Sequence, residues 1–155
     1  MFRFIRFGSA AVLLLVSAFA SWYEGSAILD NPWEWTYSTP FSHYFHGAVQ
    51  EKNDILELDF FIYASKFQPL FPVIMVISSI YLLITIGYLF LKRKKRWFAW
   101  YLLILGGGLL LLSYFIFNSP TLGGQLFFYI WLVSGGLCVV FSVKTYYNIY
   151  NLPTI

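Results

Sequence analysis

Charge is what this sequence has least of, and its absence is patterned. Only 11% of the 155 residues are Asp, Glu, Lys or Arg, against roughly 25% in water-soluble domains. No acid follows Asp59, and no charge of either sign lies in residues 70–91 or 97–143. Proton- and ion-coupled transport usually places ionisable groups at mid-membrane, so this gap argues against it. The one cysteine, Cys138, leaves neither an internal disulfide nor a thiol pair, which excludes disulfide-exchange chemistry. Only two histidines occur, and Ser78, Ser79, Ser113 and Ser134 have no His or carboxylate within any span to activate them, which makes intramembrane hydrolysis improbable. There is no internal repeat of the kind that builds inverted-repeat transporters. The net charge of +3 is spread beside apolar runs rather than along a soluble face, so it does not indicate nucleic acid.

What is present is apolar and aromatic: 59% of residues are hydrophobic and 23% are Phe, Trp or Tyr. That composition is an integral membrane protein's, with aromatics near span ends where amphipathic rings suit the headgroup zone. All seven carboxylates lie between Glu24 and Asp59, while eight of the ten Lys and Arg lie outside residues 24–69. The sequence predicts an all-α membrane protein. Residues 1–23 form an N-terminal transmembrane helix, 24–69 an acidic, aromatic-rich extracytoplasmic loop, and 70–155 a three-helix membrane region with a basic cytoplasmic turn at 92–96. Within that region the spans are 70–91, 97–117 and 125 to about 143, with a second turn at 118–124 and an aromatic tail at 146–150. The charge rule puts both termini and the basic turn in the cytoplasm. The Arg3 and Arg6 flank, the core Ala10 to Val16 and the Ala18-Phe19-Ala20 triplet also match a cleavable signal, which would leave three helices. A retained helix is the favoured reading, because Trp22-Tyr23 suits an interfacial end.

The loop divides in two. Its first half, Gly25 through Ser42, carries Asn31-Pro32 and Thr39-Pro40 and reads as turns and extended segments. From Ala48 to Phe67 there is no Pro or Gly, and the spacing of Glu51, Asp54 and Glu57 predicts an interfacial helix, although 56–60 alternates like a strand.

Several residues invite a functional reading. His43 and His46, three apart and followed by Glu51 and Asp54, are weak candidates for a metal site; without a third defined ligand, two interfacial histidines are the simpler account. No metal or cofactor is therefore expected. The loop acids read as ordinary solvated groups on the translocated side, and Lys92 to Arg96 as a topology determinant able to meet anionic headgroups. Trp33, Glu34, Trp35 and Tyr37, between two prolines, read as a lid over the helix ends, with a cation- or sugar-binding face as the alternative. Gly106, Gly107 and Gly108 admit a close neighbouring backbone, and Ser134, Cys138 and Ser142 form a second small-residue strip.

Three stretches, Ser21 to Ser26, Pro32 to Phe41, and Ile62 to Pro69 leading into the second span, resemble the YjdJ-like family of small membrane proteins from Bacillus-type bacteria. The likeness covers roughly the first 90 residues. It implies a Gram-positive cell membrane and a domain of unknown function, and it brings no catalytic residue. By subtraction the expectation is a non-enzyme: an accessory or regulatory subunit that binds another membrane protein or itself, through Trp33, Glu34, Trp35 and Tyr37 or through the glycines. The alternative is a small oligomeric transporter or permeability factor for a neutral solute.

Overall fold

The computed structural model describes residues 2–150, all in helices and short connections, with no strand among the described residues. Seven α-helices follow in order: α1 (Phe2–Gly25), α2 (Trp35–Ser38), α3 (Pro40–His46), α4 (Glu57–Phe67), α5 (Leu70–Leu91), α6 (Lys95–Phe115) and α7 (Leu122–Tyr150). Four stretches are long and apolar enough to cross a membrane: Ile5–Asp30, Leu70–Leu91, Lys95–Phe115 and Leu122–Asn148. At 1.5 Å per residue even the shortest, with 21 residues, exceeds a hydrocarbon core of about 30 Å.

These helices are inside out relative to a soluble bundle. Small residues recur among their buried positions: Ala10, Ser17, Ser21 and Gly25 on α1, Ser78 and Gly87 on α5, Gly106 and Ser113 on α6, and Gly135, Cys138 and Ser142 on α7. Their large side chains, such as Leu13, Phe19, Ile104, Leu111 and Val140, face outward. Small residues let backbones approach where no water drives the association, while apolar chains face lipid.

The helices pack in pairs. Along α6 the buried residues Ala99, Leu102, Gly106, Leu109 and Ser113 recur at alternating intervals of three and four, a heptad seam against α7. A Cβ on Gly106 would stand 2.9 Å from the Gly135 carbonyl oxygen, so the helices touch backbone to backbone there. Ser113 Oγ donates to Phe128 O at 3.1 Å and Ser142 Oγ to Ala99 O at 2.6 Å, tying the seam at both ends. The other pair is α1 with α5, with α4 laid over the C-terminal end of α1. The Gly25 backbone lies against Phe60, where a Cβ would be only 2.0 Å from the carbonyl oxygen.

Several expectations from the sequence are revised. Residues 25–42 are not extended: Ser26–Asp30 and Pro32–Glu34 are 3-10 turns, followed by α2 and α3. Pro32 and Pro40 open helical segments, where a missing N–H has no partner to lose. The helix expected over 48–67 begins only at Glu57. Glu51 and Asp54 instead bracket the Lys52–Asp54 turn as a capping box, which explains their spacing without a helical face. The alternating run 56–60 is the entry to α4, not a strand. The basic turn is shorter than 92–96, because Lys95 and Arg96 already belong to α6, and α7 starts at Leu122, inside the expected 118–124 turn, and continues through the aromatic tail. Gly106 alone of its triplet meets α7; Gly107 and Gly108 have open space at their Cβ positions. Ser134 is half-buried and leaves the small-residue strip to Cys138 and Ser142.

Candidate functional site

Between α1 and α5 the chain builds a helical cap, and its organiser is a buried carboxylate. Asp59 sits in the first turn of α4 with no solvent exposure. Its Oδ1 accepts the Phe41 backbone N–H at 3.0 Å, and its Oδ2 accepts the Ser42 N–H at 2.8 Å and the Ser42 hydroxyl. Those N–H groups belong to the first turn of α3, so the carboxylate caps one helix from the start of another. Ser42 Oγ in turn accepts the Leu56 N–H at 2.8 Å, closing the network onto the residue before α4. Three hydrogen bonds to its two oxygens offset the cost of burying this polar group.

Around it lies a small apolar core of Ile28, Ile55, Phe60 and Tyr63, with Leu29, Trp35 and Val49 packed against it. Trp35 Nε1 donates to Ile28 O at 2.8 Å, and Asn31 Nδ2 to Tyr63 Oη at 3.1 Å. A second polar tie joins the far end of α4 to the tryptophan segment. Lys66 Nζ donates to Tyr37 O at 2.6 Å and to Ser38 Oγ at 3.1 Å, while Ser38 Oγ donates to Glu34 Oε2 at 2.9 Å. Partial burial pulls the Lys66 ammonium below the usual lysine range, and the Glu34 carboxylate opposes that shift. Asp54 Oδ2 accepts the Glu51 and Gln50 N–H groups at 3.0 and 3.1 Å, which holds its pKa below the ordinary aspartate value. Lys52 and Asp30 make an exposed ion pair at 2.7 Å.

The sequence-nominated residues divide between inside and outside. Trp35 and Glu34 help hold the cap, whereas Trp33, at 87% exposure, and Tyr37 point outward. Phe41, Tyr44 and Phe45 join them, so the cap presents five large aromatics. His43 Nδ1 pairs with Gly47 O at 2.9 Å and its buried Nε2 has no partner, while His46 is exposed. Among the described residues no group of three or more His, Cys, Asp or Glu is gathered to hold a metal ion. Sequence reasoning missed Asp59, Ser42, Asn31 and Lys66. The available signal was Asp59 itself, a charge inside the apolar run Leu58 to Ile62.

The cap and the two helices flanking it are also the part of the chain that comparison picks out. A model of the family described as a domain of unknown function (DUF4306) matches residues 4–91. The chain belongs to the DUF4306 family. The match runs from α1 through the last residue of α5 and takes in every residue of the cap, leaving the α6–α7 hairpin beyond it. The uncharacterized protein YjdJ of Bacillus subtilis (strain 168) is similar, 33% identical over 85 residues that make up 54% of this chain and 78% of the relative. No solved structure matches the chain. The DUF4306 region is thus a two-helix unit closed at one end by a folded cap.

Proposed function

We propose that this DUF4306 protein is a non-enzymatic accessory or regulatory membrane protein whose cap binds another membrane protein or a second copy of the chain. The observation that carries this reading is the contrast within the cap. Its inner side is fixed by a buried carboxyl group that accepts three hydrogen bonds, yet Trp33, Tyr37, Phe41, Tyr44 and Phe45 are turned outward. Rigid exposed aromatics are the side chains that protein interfaces favour, and they lose little conformational entropy on binding. Gly107 and Gly108, with no neighbour at their Cβ positions, offer a second, intramembrane surface for close helix approach.

In this reading α1 is retained, the cap stands outside a bacterial cell membrane and both termini are cytoplasmic, as the charge distribution favours. Intact mass of the purified protein tests retention: residues 1–20 are present in the mature chain, and their absence rejects that part of the proposal. For the cap, a photo-crosslinking residue at position 44 in cells is expected to give one discrete larger species. The pair Trp33→Ala and Phe41→Ala is expected to abolish that species without lowering the melting temperature. A chain that stays monomeric and uncrosslinked contradicts the proposal.

The competing reading, an oligomeric transporter or permeability factor for a neutral solute, expects a cavity lined by Tyr, Ser and Thr between spans. The groove between α5, α6 and α7 is lined mainly by Ile, Leu and Phe, with Ser134 and Thr145 its only hydroxyl side chains, which favours the accessory reading.

A further inference from the structure

The two helix pairs meet over little surface, and the space between them has a polarised design. At the end nearest the Lys92–Lys94 turn, α5 and α6 are held together by Tyr101. Its ring occupies the place of a side chain at Gly87, where a Cβ would be 2.2 Å away, and its hydroxyl donates to Leu83 O at 2.9 Å. Tyr88 and Phe98 add an edge-to-face contact with centroids 5.7 Å apart. Beside this clasp the pairs part, leaving a cavity of about 410 Å³ walled by Ile80 and Ile84 of α5, Leu102 of α6 and Leu137 and Phe141 of α7. On α7 its lining extends from Ser134 to Thr145, a run of about 16 Å along the helix axis. The volume falls within the range of about 300–1,000 Å³ typical of small-molecule sites. An apolar slot of this kind in a membrane holds hydrocarbon, not water, because the few polar groups on its wall cannot satisfy a water chain.

Charge specifies the rest of the occupant. Lys92, Arg93, Lys94, Lys95 and Arg96 are all exposed, and Lys144, next to the groove residue Thr145, is exposed as well. No carboxylate occurs after Asp59, and the ion pair found among the described residues, Lys52 with Asp30, is in the cap. The groove therefore ends beneath six cations that make no ion pair among the described residues. We propose that this groove binds one acyl chain of an anionic glycerophospholipid, with the lipid phosphate held by the basic turn and Lys144. The slot supplies the hydrocarbon contact and the turn the headgroup selectivity, each basic side chain near the surface contributing a similar increment. The bound lipid would fill the seam between the DUF4306 unit and the α6–α7 hairpin and so join the two halves of the molecule.

Native mass spectrometry of the full chain in mild detergent tests this, with phosphatidylglycerol and phosphatidylcholine of identical acyl chains as probes. Phosphatidylglycerol is expected to bind with 1:1 stoichiometry and to resist dissociation better than phosphatidylcholine. The variant Lys92→Gln with Lys94→Gln, which alters no packed residue, is expected to weaken phosphatidylglycerol about tenfold or more while leaving phosphatidylcholine unchanged. Filling the slot with Ser134→Leu is expected to displace both lipids while the circular dichroism spectrum stays helical. Equal retention of the two lipids by the wild-type chain overturns the proposal, as does an undiminished phosphatidylglycerol preference in the Gln variant. So does a groove occupied by a second copy, seen as a lipid-free dimer that Ser134→Leu dissociates.

Discussion

Replacing Asp59 with Asn turns one acceptor oxygen into an amide donor facing N–H and O–H groups that already donate to it. Hydrogen bonds to a buried charge and the cost of orphaning their donors together make the cap about 3 kcal/mol less stable in this variant. Hydrogen exchange at the Phe41 and Ser42 amides is expected to accelerate by a factor of about 100. Unchanged protection would show that Asp59 is not the organiser. Asp54 gives a pH signature of the opposite location, an exposed turn. Its folded pKa lies below the ordinary aspartate value of about 4, so its support for the Gln50–Asp54 turn is complete above that pH and is lost as pH falls below it. Protection of the Gln50 and Glu51 amides relative to their intrinsic exchange at each pH should therefore fall in acid, and Asp54→Asn should remove that dependence. At this scale the sequence was a partial guide. The Trp33 to Tyr37 block stands out in the sequence, but which tryptophan faces inward depends on Trp35 reaching Ile28 O, a contact no local pattern encodes.

Among elements, the seam between α6 and α7 makes the sharpest prediction, because adjacent glycines have opposite surroundings. Gly106→Leu drives a side chain into the Gly135 backbone and should cost about 1–3 kcal/mol as overpacking, read as a lower melting temperature in detergent. Gly107→Leu enters open space and should stay within about 0.5 kcal/mol of wild type. Equal effects would refute the seam as described. The spans were legible because 20 or more apolar residues without charge permit little else. The glycine triplet was recognised as a packing feature, yet the heptad from Ala99 to Ser113 identifies which glycine packs, and it was readable in the intervals of small and leucine residues. The cap helices were not legible, since they are short and their order comes from bonds between residues far apart in sequence: Ser42 with Asp59, 17 positions away, and Asn31 with Tyr63, 32 away.

For the whole molecule, four apolar helices arranged as two pairs, with a folded acidic cap at one end and a basic turn at the other, form a structure polarised along the helix axes. The DUF4306 match coincides with one pair and its cap. The account rests on that polarity lying across a membrane, with the cap outside and the basic turn inside. Cysteine accessibility in intact cells tests it most directly, using Cys138→Ser as background and single cysteines at Trp33 and Arg93. An impermeant maleimide is expected to label Trp33→Cys in intact cells and Arg93→Cys only after permeabilisation. Labelling of Arg93→Cys from outside, with Trp33→Cys protected until the cells are opened, would contradict the account.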